Sequence, residues 1–223
     1  MRRSDTNRSL GLLAAVAASG LLLTACGGGG DDVPEPARAS VDVPSKALVQ
    51  ADLPAGLALT TVPEDDAFQG ALNSVGQVEA AQISPAACKE KNVAAQKEVV
   101  ETIKYGVQQN VSKDGAGVYG ITLLPDSAKL PVLEAAGTGE CATVSYGDTL
   151  TQTAVRKELP GGTGATGFVL EMTRKVGEQS AAARTAYFTK GGVVAMVTAS
   201  PGAGGTIDGA GFEEIVRRVA GKL

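Results

Sequence analysis

The sequence predicts an α+β domain: a mainly antiparallel sheet of about five to seven strands with helices packed on one face. Three observations carry that expectation. Runs of β-branched and aromatic residues crowd the second half of the chain, from Val118 to Leu124 and again from Cys141 to Ala199. Two stretches place apolar residues at helical spacing: Val99, Val100, Ile103 and Val107 in one, Phe212, Ile215, Val216, Val219 and Leu223 in the other. No internal repeat divides the chain, and the roughly 180 residues that follow a Gly- and Pro-rich N-terminal stretch suffice for one domain with a real core.

In chain order, Ser45 to Ala51 reads as a short helix and the chain after Pro54 as extended. Thr61 to Ala80, with Glu64, Asp65 and Asp66 together, reads as an acidic loop leading to a strand near Val75 to Ala81. Ser84 can cap, and Pro85 can open, a helix whose apolar spacing carries it toward Gln109. Val118 to Leu124 is a strand stopped by Pro125, and Leu130, Val132 and Leu133 make a short helix within Asp126 to Ala136. Cys141 opens the next strand, and further strands follow over Thr149–Glu158, Phe168–Val176, Arg184–Lys190 and Val193–Ala199. Along the Phe168 strand, Phe168, Leu170 and Met172 share one face while Val169, Glu171, Thr173 and Lys175 share the other. Gly191-Gly192 suits a two-residue hairpin turn that needs positive φ. The last helix starts near Asp208, whose carboxylate suits the positive end of the helix dipole, and Arg217, Arg218 and Lys222 suit its negative end.

Composition excludes several kinds of chemistry. The chain contains no His, so Ser-His-Asp hydrolases, Cys-His proteases and HExxH metalloproteases are all ruled out. No Ser-x-x-Lys pair stands in a helical context, and the protein is expected not to be an enzyme. A formal charge of -4, spread along the chain, gives no surface for nucleic acid. With no Trp, four Tyr and four Phe, a sugar site built on stacked rings is disfavoured. Two stretches match G-x-G-x-x-G, at Gly115, Gly117 and Gly120 and at Gly162, Gly164 and Gly167. Each precedes a β-like run rather than opening a helix, so both read as turns and no dinucleotide site is expected. Glu64, Asp65 and Asp66 lack the alternating ligands and central Gly of a calcium loop, so neither metal nor other cofactor is expected.

The N-terminus carries an address. Arg2, Arg3 and Arg8 precede an apolar run from Leu10 to Thr24, which Leu23-Thr24-Ala25-Cys26 closes. That run, roughly 15 residues, is shorter than the 20 or so of a membrane span and fits a secretory signal. The segment resembles a bacterial lipoprotein signal, which implies removal of residues 1–25 and a diacylglyceryl group on the Cys26 sulfur. The acyl chains, at about 0.8 kcal/mol per buried methylene, would hold the protein to the outer face of the cell membrane. The tether, residues 26–44, is mostly Gly27 to Pro44, a Gly/Pro-rich stretch reaching roughly 25 Å as a flexible coil. Residues 45–223 form the extracytoplasmic domain. Without the leader, 17 cationic and 23 anionic side chains leave a formal charge of -6.

Once Cys26 is acylated, Cys88 and Cys141 are an even pair in an oxidising compartment and are expected to form one structural disulfide. No CxxC spacing points to redox work.

Three segments, Ile83-Ser84-Pro85-Ala86-Ala87-Cys88, Val118 to Cys141, and GGVVAMVTAS ahead of FEEIVRRVAGKL, together carry a resemblance. They resemble actinobacterial, mycobacterial-type envelope lipoproteins related to the extracellular sensor domains of mycobacterial serine/threonine kinases. The resemblance implies a sheet-and-helix sandwich around a groove. The kinase sensors it points to usually hold two disulfides, whereas this chain has cysteines for one. The expected function is a lipid-anchored, non-enzymatic binding or sensor-like module that takes an envelope small molecule, lipid or protein partner. The alternative is a lipid or glycolipid carrier with an apolar cavity.

Overall fold

A computed structural model describes residues 41–114, 116–126, 128–201 and 205–223. Cys26, the leader and most of the tether lie outside the described residues. Among the described residues, nine strands form one sheet: β1 (Leu57–Thr61), β2 (Ile83–Ser84), β3 (Val107–Lys113), β4 (Ala116–Pro125), β5 (Thr143–Tyr146), β6 (Leu150–Lys157), β7 (Thr166–Val176), β8 (Gln179–Lys190) and β9 (Val193–Ala199). The helices are α1 (Glu64–Ala80), α2 (Ala86–Ile103), α3 (Leu130–Ala135) and α4 (Gly209–Lys222). Every strand pairing is antiparallel, in the order β1-β3-β4-β9-β8-β7-β6-β5-β2. The α+β class and the antiparallel sheet are as the sequence predicts, with more strands than expected.

Several local expectations need correction. The loop and strand expected over Thr61 to Ala80 are the helix α1. Its acidic triplet occupies the first turn, where the helix dipole favours negative charge. Phe68 and Ala71 pack into the core beside α2, and Val78 packs beside the disulfide, which is a helical stripe. Gly70, Asn73, Ser74 and Gly76 interrupt the stripe and dilute its signal. The following helix ends at Ile103 rather than near Gln109, and Val107 begins β3. The break comes at Gly106, where an added Cβ would collide with the Leu123 carbonyl oxygen of β4. Only glycine allows so close a backbone approach. The helix expected over Ser45 to Ala51 is two short 3-10 turns, Pro44–Lys46 and Gln50–Asp52. Cys141 lies in the 3-10 turn Gly139–Ala142, and β5 starts two residues later.

Helices cover both faces of the sheet, not one. Tyr119, Ile121 and Leu123 of β4, Ala186 and Phe188 of β8, and Val193, Ala195 and Val197 of β9 meet Phe212, Ile215, Val216 and Val219 of α4. The residues between them point the other way: Leu124, Tyr187, Val194 and Met196 pack with α1, α2 and α3. Alternate residues of β4, β8 and β9 thus face different apolar layers, as in a strand buried on both sides. The cover is incomplete. Thr151, Thr153 and Val155 of β6 share the face that α4 covers elsewhere, but α4 stops short and they are exposed.

The segment before β1 closes the α4 side. Val43, at the end of the stretch read as tether, is fully buried and packs with Leu48 and Leu53 in the core of α4. The buried carboxamide of Gln109 accepts from the Leu48 amide at 3.1 Å and donates to the Leu48 carbonyl at 2.9 Å, holding the segment as a neighbouring strand would. Gln50 does the same on the outer edge of β1. Its Nε2 donates to the Leu57 carbonyl at 2.8 Å, and its Oε1 accepts from the Leu59 amide at 2.9 Å. The opposite edge, β2, is two residues long and runs into Pro85, which has no amide proton to offer.

The same segment is tied to α4 by charge. Asp52 Oδ2 accepts from the Val49 amide at 2.8 Å and from Lys222 Nζ at 2.9 Å. These two donors, in that order, hold the Asp52 carboxyl below its ordinary value of 3.8. A lowered carboxyl pKa adds stability above the unfolded value and loses it as pH falls through the folded one. Solvent screening keeps the contribution below about 1 kcal/mol. Asp52→Asn is therefore expected to lower the melting temperature slightly at neutral pH, with the difference shrinking once pH drops under 3.8. A gap that widened in acid would contradict this assignment.

Candidate functional site

A cleft of about 440 Å³ opens between the end of the β3–β4 hairpin and the first turn of α4. That size falls within the range of small-molecule sites. Its geometry follows from three local features. The register of β3 against β4 shifts between Val111 and Ser112, a bulge that bends the hairpin end. Asp114 then takes a left-handed conformation, φ 51°, which Asp tolerates better than most residues. Across the gap, Asp208 caps α4, its Oδ1 accepting from the Gly211 amide at 2.9 Å.

Tyr119 of β4 forms the deep end. Its side chain is only 7% exposed, and its hydroxyl reaches the first turn of α4 beside Gly211. A Cβ at Gly211 would strike that hydroxyl and would stand 2.5 Å from Asp208 Oδ2, so the glycine is what lets helix and tyrosine meet. Among the described residues the Tyr119 hydroxyl makes no hydrogen bond to the protein; the ring is buried, and the hydroxyl itself is open to the cleft. Burial, then the nearby Asp208 charge, raises its pKa above the ordinary 10.0. It therefore stays protonated at neutral pH, able both to donate and to accept. Pro54, Leu57 and Val118 supply apolar walls, and Ser200, Thr206 and Lys113 bring polar groups to the rim.

Two smaller polar clefts flank the Arg184–Glu171 pair, whose nitrogen and oxygen are 2.9 Å apart. Both partners are partly exposed, and the pair reads as a solvated surface interaction. Among the described residues no group of three or more Cys, Asp or Glu is placed to hold a metal ion. No helix among them is long and apolar enough to cross a membrane.

The structure joins Cys88 to Cys141, both buried, as the sequence predicts. The bond lies near β2 and β5, at the opposite end of the sheet from the cleft. Cys26 lies outside the described residues. In the glycine motifs, Gly120 sits within β4 and Gly162 and Gly164 in the loop before β7, so neither opens a helix; Gly115 lies outside the described residues. Sequence reasoning misses the cleft. Asp208 reads as a helix start and Tyr119 as one more strand residue, and nothing local links positions so far apart in the chain. The faint signal is the Asp208-Gly209-Ala210-Gly211 run, with two glycines in a first helical turn that does not otherwise need them.

The fold and cleft define an α+β domain with a nine-stranded antiparallel sheet and a small-molecule-sized recess at one edge. No protein family matches the chain, and no curated protein does. Among solved structures it is similar to an uncharacterized protein of Mycobacterium smegmatis, an Rv0999 ortholog, with a TM-score of 0.45 and 12% identity. The match covers 82% of this chain and 97% of that one.

Proposed function

We propose that the protein is a lipid-anchored, non-enzymatic binding or sensor-like module on the extracytoplasmic face of the cell membrane, with the cleft at the start of α4 as its ligand site. The observation that carries the reading is Tyr119, its ring buried and its hydroxyl, unpartnered among the described residues, open to a recess of about 440 Å³. A ligand's polar group would replace solvent as the partner of this hydroxyl, which can both donate and accept. The anchor rests on the leader and Cys26, and the Cys88–Cys141 bond suits an oxidising compartment outside the cytoplasm. The non-enzymatic reading rests on the absence of His and on a phenol whose raised pKa makes it a poor nucleophile. The kinase-sensor resemblance fits the same role and suggests an envelope ligand.

The test combines fractionation with native mass spectrometry in an actinobacterial host. Wild-type protein is expected in the membrane fraction and Cys26→Ala in the soluble one. The released protein should carry a small-molecule mass that disappears in Gly211→Ala, whose new methyl group crowds the Tyr119 hydroxyl. Membrane binding that survives Cys26→Ala would refute the anchor. A bound mass unaffected by Gly211→Ala would place the ligand site elsewhere.

A further inference from the structure

The start of a helix ordinarily attracts anions, because its first amides are unpaired and the dipole is positive there. In α4 that place is taken. Asp208 puts its own carboxylate on the helix end, and its Oδ1 already holds the Gly211 amide. Its second oxygen, Oδ2, lies beside Gly211 close to the Tyr119 hydroxyl. The deep end of the cleft therefore presents two acceptors, one of them charged. Among the residues that line the cleft, Lys113 and Asp114 are exposed, sit next to each other and cancel formally, which leaves Asp208; Arg184, which approaches Gly209 from outside the lining, is paired with Glu171. Above this end the walls are Pro54, Leu57 and Val118. An anion would meet a carboxylate where it needs a donor. A group with several N–H donors and one positive charge would satisfy Asp208 Oδ2, Tyr119 and a rim hydroxyl of Ser200 or Thr206 together.

Resting on the reading of this cleft as the ligand site, we propose that it takes a primary ammonium carried on a compact apolar body, the ammonium seated between Asp208 and Tyr119 and the apolar part against Pro54, Leu57 and Val118.

Three probes with one body and different heads separate the charge from the shape: benzylammonium, benzyl alcohol and benzoate. The full chain in phosphatidylcholine nanodiscs, labelled with 3-fluorotyrosine, gives a ¹⁹F line for each of its four tyrosines, and Tyr119→Phe assigns the relevant one. Benzylammonium is expected to shift the Tyr119 line saturably, benzyl alcohol to bind at least tenfold more weakly, and benzoate to leave the line in place. Asp208→Asn keeps a good helix cap and should weaken benzylammonium about tenfold while sparing benzyl alcohol. Lys113→Ala, an exposed change with little bearing on folding, should raise benzylammonium affinity about twofold by removing a like charge.

Benzoate binding as tightly as benzylammonium, or benzylammonium affinity unchanged in Asp208→Asn or lowered in Lys113→Ala, would overturn the ammonium assignment while leaving the cleft as a ligand site. A Tyr119 line that none of the three probes moves would overturn both.

Discussion

Replacing Cys88 and Cys141 with alanine together is expected to lower the melting temperature by about 10 °C, because the bond closes a long loop. The two residues are 53 apart, and the chain-entropy account assigns such a closure about 4 kcal/mol. In a domain of this size each kcal/mol moves the midpoint by about 2–4 °C. The location adds to the effect. Ile83, Val144 and the two cysteines form a small cluster separate from the main core, with Val78 and Tyr146 packed at its border. Little other apolar burial holds the first turn of α2 to the start of β5. Thermal melts of the oxidised protein and of the double variant make the measurement. Coincident midpoints would mean that α2, β2 and β5 hold one another without the bond. The cleft lies at the far edge of the sheet, so the Tyr119 environment should survive the change.

Phe212→Ala is expected to cost about 3–5 kcal/mol, the usual range for removing a buried aromatic ring. Phe212 is among the largest fully buried side chains and lies in the first turn of α4, packed in the cluster that joins this helix to β4, β8 and β9. The ring also secures the helix start that faces Tyr119. The variant should therefore both shift the urea midpoint strongly and loosen the cleft. A loss of unfolding free energy under about 1 kcal/mol would mean that α4 is held mainly by its other buried residues, Ile215, Val216 and Val219.

Much of the second half of the chain is legible in its residues alone. Gly191 and Gly192 both take positive φ, 57° and 77°, and join β8 to β9 in the two-residue turn their pairing suggests. The apolar stripe of α4 and its Asp208 cap also stand where the sequence puts them. Such features are local: a turn needs its glycines and a cap needs its carboxylate whatever lies across the core. The first half is harder to read. In α1, glycines and small polar residues blur the helical period, although the acidic first turn marks its start. Val107 continues the apolar spacing of α2, but it belongs to β3, because pairing with Leu123 outweighs one more turn of helix.

By itself the sequence determined the α+β class, the antiparallel character of the sheet, the strands β6, β7 and β9 with the Arg184–Lys190 part of β8, the last helix and the pairing of Cys88 with Cys141. Each follows from a short period, a turn chemistry or a residue count. Only the tertiary structure decided that helices lie on both faces, since alternation along β9 shows that its residues point two ways and not what waits on either side. Only the tertiary structure made the cleft. Tyr119 and Asp208 meet because β4 lies beneath the start of α4 and Gly211 leaves room between them, a contact between distant parts of the chain that no local pattern encodes.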